Sequence, residues 1–118
     1  MGRGSIQQKS YIGIYSEMMS TKHGNANRLR VVATKQYRKD YRRLRLSGYD
    51  LEKLDVIVDL LASGARLPPG YRNHKLEGSY AGCEECHVDF DWVLIYVRTE
   101  REVVLTLVRT GTHSHLKL

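Results

Sequence analysis

Apolar positions along the chain change their spacing twice, and the changes divide it into elements. Leu29 to Ala33 is a short β-branched run that predicts a strand. Thr34 can then cap a helix over 35–46, in which Tyr37, Tyr41 and Leu44 make one apolar stripe at helical spacing. Ser47-Gly48 stops it. Asp50 is placed to cap a second helix, with Tyr49 and Leu54 at the positions of a hydrophobic staple. Leu51, Leu54, Val58 and Leu61 form its stripe, Ile57 lies beside it, and Gly64 marks the end. Leu67-Pro68-Pro69-Gly70-Tyr71 has to be irregular, because neither proline offers a backbone donor. From Gly82 onward the period becomes two. Strands are predicted over 83–90, 92–98 and 102–109, with Asp89-Phe90-Asp91 and Thr99-Glu100-Arg101 as turns.

The order is strand, helix, helix, then a meander. It predicts an α+β fold: an antiparallel sheet of about four strands with two N-terminal helices on one face. The 118 residues suffice for one modest core. Residues 1–27 read differently, with a polar, glycine-containing start and a loop-like Ser20-Thr21-Lys22-His23-Gly24-Asn25. They are expected to be an extension outside a domain spanning 28–118. No apolar run approaches the ~20 residues of a membrane span, and the start carries no signal-peptide pattern. A cytoplasmic protein is expected.

Charge sharpens the picture through its distribution. The net formal charge is +6, and the stretch from Arg28 to Arg45 holds eight basic residues against one acid, Asp40. From Ser79 to the end there are four basic and six acidic residues. The first half therefore offers a positive face to a polyanion, or else simply a solvated one. The string Cys83-Glu84-Glu85-Cys86-His87 matches the C-x-x-C-H spacing of haem attachment, but that chemistry belongs to exported proteins. A zinc site from Cys83, Cys86, His87, His113 and His115 is the better metal alternative, although His113-x-His115 makes a poor second ligand pair.

Candidate chemistry gathers toward the C-terminus, where His74, His87, His113 and His115 lie. A histidine can take or give a proton near neutral pH. Meander geometry can bring His87, Asp91, Arg109 and His113 to one sheet edge. Cutting RNA through its own 2′-hydroxyl needs a base, an acid and a cation for the charged phosphorane. Histidine, aspartate and arginine supply these without a metal or cofactor, and Trp92 could stack an unpaired base. Structural readings stand beside this one: His87 as a satisfied strand residue, Trp92 as core, Arg109 paired with Asp91.

The string His87-Val88-Asp89-Phe90-Asp91-Trp92-Val93-Leu94-Ile95-Tyr96, followed by Arg109-Thr110-Gly111-Thr112-His113, resembles the YafQ family of bacterial toxins, within the RelE/ParE superfamily. Asn73-His74-Lys75-Leu76-Glu77-Gly78 resembles the same family's His-x-Leu-x-Gly element. The resemblance implies a ribosome-dependent mRNA endonuclease on a microbial-ribonuclease-like fold. Its implied partners are the ribosome, mRNA and a small neutralising antitoxin of the DinJ/RelB type. DNA would be met only through that antitoxin, and a membrane not at all. By the same resemblance His113 is the general acid, and His87 and Asp91 serve proton transfer and positioning. Arg109 stabilises phosphate, and His74 and Trp92 contact or orient RNA. Three places depart from the family pattern. Cys83-Glu84 stands where an aromatic and a basic residue are usual, Phe90 where proline is usual, and Leu116-Lys117-Leu118 lacks the usual aromatic. The alternative is a non-catalytic module on the same fold, either a gyrase poison or a decayed toxin acting as an antitoxin-bound co-repressor.

Overall fold

The computed structural model describes residues 28–118, and the extension expected over 1–27 lies outside the described residues. The chain runs β1 (Arg30–Ala33), α1 (Lys35–Leu46), α2 (Leu51–Ala62), β2 (His74–Lys75), β3 (Glu84–Asp89), β4 (Trp92–Thr99), β5 (Val104–Thr112) and α3 (His113–Leu116). Short 3-10 turns at Pro69–Tyr71 and Gly78–Tyr80 flank β2. Both long helices begin on the expected caps: Thr34 accepts from the Tyr37 amide and Asp50 from the Glu52 amide.

The α+β class is as the sequence indicates, but the sheet has five strands in the order β1-β5-β4-β3-β2 and is mixed. β3, β4 and β5 form the antiparallel meander, whereas β1 pairs parallel to β5. Hairpin connections force antiparallel pairing only between chain neighbours. β1 and β5 lie far apart in sequence, so no local signal sets their relative direction. The unforeseen β2 is two residues long, too short to display an alternation. Two further differences lie at the end of the chain, where β5 continues through Thr112 and the expected tail closes into α3.

One sheet face carries both long helices. Tyr37, Tyr41 and Leu44 of α1 and Leu54, Ile57, Val58 and Leu61 of α2 pack with Cys86, Val88, Trp92, Leu94, Tyr96, Leu105 and Leu107 in the main core. Each fully buried aliphatic chain of this kind is worth about 1.5–3 kcal/mol. Strand alternation sends Val93 and Ile95 to the opposite face, where Leu116 of α3 covers them together with Leu76, Tyr80 and Cys83. Glu85 and His87 alternate with Cys86 and Val88, so they also lie on this second face. That face holds the candidate site.

β5 is irregular where β1 ends. Register slips between Ile95 and Tyr96, leaving Val108 as an extra residue opposite β4. Thr34 closes the β1 side by donating its hydroxyl to the Val108 carbonyl at 2.8 Å. Beyond the slip Asp40 of α1 takes the place of a neighbouring strand. Its buried carboxylate accepts the Thr110 amide at 3.1 Å and the Arg109 guanidinium at 2.7 and 3.1 Å.

Candidate active site

Glu85 is the centre of the site. It is 3% exposed, and its two oxygens face three imidazoles. Oε1 lies 3.1 Å from His74 Nε2 and 4.0 Å from His87 Nε2, and Oε2 lies 3.8 Å from His113 Nε2. Each ring comes from a different element. His87 sits two residues along β3 from Glu85, and His74 is opposite Glu85 in the β2–β3 register. His113 opens α3, its ring centroid 5.4 Å from that of His87. Asp91, in the turn between β3 and β4, holds His113 by its other ring nitrogen, with Nδ1 2.8 Å from Oδ1. His74 is likewise held from behind, its Nδ1 3.0 Å from the Arg72 carbonyl.

Exposure grades across the group. The side chains of Glu85 and His87 are 4% and 18% exposed, while those of His113, Asp91 and His74 reach 36%, 50% and 51%. A polyanion approaching from solvent therefore meets His74 and His113 first. Burial holds the His87 pKa below the usual imidazole value, an effect that Glu85 partly offsets. The hydrogen bond from His113 keeps the Asp91 carboxyl below the usual carboxylate range.

The structure thus brings His74, His87, Asp91 and His113 together, and adds Glu85, which the sequence reading missed. A signal existed: Glu85 and His87 are two apart in a strand and must share a face. Arg109 is placed differently. Its guanidinium is committed to Asp40, and Nη1 reaches the Tyr80 hydroxyl at 3.3 Å. The expected alternative partner, Asp91, is engaged with His113 instead. Asp40 could also have been found, since it falls three residues after Tyr37 and next to Tyr41, on the stripe that α1 buries.

Trp92 needs correcting as a base-stacking residue. It is 3% exposed and packed in the main core, with its indole N–H donated to the Thr110 hydroxyl at 2.9 Å. The Tyr49 ring stands edge-on to it at 5.1 Å. The exposed aromatic of this turn is Phe90, 94% accessible. The zinc alternative also fails on geometry. Cys86 is buried among the helix-side residues, where burial pushes its thiol up to about 12. His115 lies against Arg43. Among the described residues, the group able to hold a metal is Glu85, His87 and His113, whose ligand atoms lie within 4.8 Å of one another. An ion bound there would occupy the lone pairs that acid–base chemistry needs.

The chain and its fold are similar to known proteins. Residues 29–118 match the family described as the bacterial toxin of type II toxin-antitoxin system, YafQ. The chain is 39% identical over 82 residues to the mRNA interferase toxin YafQ of Escherichia coli strain K12, covering 69% of this chain and 87% of that protein. It superposes on the toxin in the E. coli DinJ-YafQ complex with a TM-score of 0.68 at 34% identity, covering 75% of this chain and 97% of that one. A metal-bound toxin from Helicobacter pylori matches with the same TM-score of 0.68 at 37% identity, over 73% of this chain and 96% of that one. The chain belongs to the YafQ family of type II toxin-antitoxin toxins.

Proposed function

We propose that this protein is the toxin of a type II toxin-antitoxin pair and cuts mRNA on the ribosome by acid–base chemistry through the RNA 2′-hydroxyl. The observation that carries the mechanism is the buried Glu85 carboxylate facing three imidazoles, one of them braced by Asp91. His87, which burial favours in its neutral form, takes the 2′-hydroxyl proton. The freed oxygen attacks phosphorus, and the 5′-oxygen leaves with a proton from His113. The products are a 2′,3′-cyclic phosphate and a 5′-hydroxyl. Asp91 turns the His113 ring so that Nε2 faces the reacting bond. Glu85 balances the positive charge that His87 gains and orients His74, the outermost imidazole, toward the phosphate. Arg109 serves by holding β5 to α1, with only its Nη1 edge directed away from Asp40. Trp92 orients Asp91 from within the core rather than touching RNA.

Residues 28–118 are the toxin domain in this reading, and 1–27 are an extension of it. An antitoxin is the natural partner, since an E. coli relative was solved as a DinJ-YafQ complex. The exposed Lys35, Arg38, Lys39, Arg42 and Arg43 of α1 meet ribosomal RNA or an acidic antitoxin segment. The site of action is the cytoplasm; among the described residues no helix is long and apolar enough to cross a membrane. Primer extension on mRNA from expressing cells tests the reading. Wild type should give discrete cuts, and His113→Ala should abolish both the cuts and the growth arrest. Growth arrest that persists in the variant would refute the role given to His113. Inhibition of gyrase supercoiling without any RNA cut would favour the non-catalytic alternative.

A further inference from the structure

Glu84 replaces a residue that is usually basic, so its surroundings bear on whether it disturbs the site. It alternates with Glu85 and points to the other side of the sheet. There Glu84 Oε1 accepts the Asn73 amide at 2.8 Å and lies 3.3 Å from the Tyr96 hydroxyl. The Tyr96 hydroxyl donates to Asn73 Oδ1 at 2.6 Å. Three strands are joined by this small ring of bonds, because Asn73 immediately precedes β2, Glu84 begins β3, and Tyr96 is its partner on β4. Tyr96 is 1% exposed, and burial first and Glu84 second raise its pKa, which keeps the phenol a donor.

β2 needs such a tether. It has two residues, pairs on one side only, and follows Arg72, which holds a left-handed φ of 49°. So short a ladder frays unless side chains hold it. We infer that the Tyr96–Asn73–Glu84 cluster is a positioning device for His74: it clamps β2 from the helix side of the sheet, so that the next side chain emerges on the other side within reach of Glu85. The alternation is visible in the bonds themselves. Asn73 meets Glu84, and one residue later His74 meets Glu85 at 3.1 Å. Glu84 is thereby a structural acceptor turned away from the histidines, not a negative charge added to them.

This inference deepens the nuclease reading and rests on it for its kinetic arm. Asn73 is exposed, so Asn73→Ala removes no core packing, and the Tyr96 hydroxyl still has Glu84 Oε1 at 3.3 Å. In a ribosome-dependent cleavage assay on the full chain, Asn73→Ala should lower kcat about tenfold or more with KM within about twofold, the signature of lost alignment. Glu84→Gln keeps the acceptor oxygen and should stay near wild type. The imidazole resonances of His74 in NMR spectra should move in Asn73→Ala, while those of His115, which is bonded to Arg43 of α1, stay fixed. Unchanged kcat together with unmoved His74 resonances would overturn the inference. If wild type itself fails to cut RNA, the functional reading falls, and the His74 resonances alone decide the positioning role.

Discussion

His87 and His113 stand next to the same carboxylate yet are held in opposite ways. His113 is tied by Asp91 at 2.8 Å and is a third exposed, so its ring is fixed in orientation and open to solvent. His87 is largely enclosed by the sheet and the other histidines, which favours its neutral form. The proposed roles of base for His87 and acid for His113 rest on this asymmetry, which has a pH signature. The folded pKa of His87 is lowered, so the folded state binds its proton less readily than the unfolded chain does. Stability from this group is therefore intact above the ordinary value of 6.5 and falls as pH drops from there through the folded pKa. Cleavage by a neutral base persists to the same depressed value. The acidic limb of the kcat/KM profile should thus bend below pH 6.5 and move in His87 variants; a limb bending above 6.5 would reassign the base.

At the scale of elements, the joint between β5 and α1 matters most. Asp40 has no exposed side-chain surface and satisfies three donors, two from Arg109 and one from the Thr110 amide. Removing Arg109 strands a buried carboxylate, a change that costs about 3–5 kcal/mol in comparable buried pairs. Urea unfolding of Arg109→Ala should therefore show a large loss of stability, and Asp40→Ala should destabilise β5 as well. A stable but inactive Arg109→Ala protein would return the arginine to the phosphate. The helices around this joint could be read from their stripes and caps, because helix periodicity and capping are local. β2 could not be, since two residues carry no period and the strand exists only because β3 and the Asn73 bonds hold it. The parallel β1–β5 pairing was illegible for a related reason: it joins segments more than seventy residues apart.

Across the whole molecule, chemistry and charge are segregated. The three imidazoles around Glu85 occupy the sheet face opposite the long helices, whereas the exposed cations of α1 belong to the helix layer, of which Arg43 reaches round to His115. Cutting and docking can then be separated by mutation. Reversing Lys39 and Arg42 to Glu should weaken ribosome-dependent cleavage by about tenfold or more at physiological salt and flatten its salt dependence, with the urea midpoint nearly unchanged. Cleavage by the variant that matches wild type at both low and high salt, with the same salt dependence, would remove α1 from the docking surface. The amino-acid sequence alone determined the α+β class, the two capped helices, the basic first half and the family, because each is written in local spacing or in short motifs. It also named four of the five residues that meet at the site. Only the tertiary structure decided that Glu85 lies at their centre, that Arg109 answers to Asp40, and that Trp92 is core. Those outcomes depend on which strand lies beside which and on where the register slips, and both are settled by packing between distant segments.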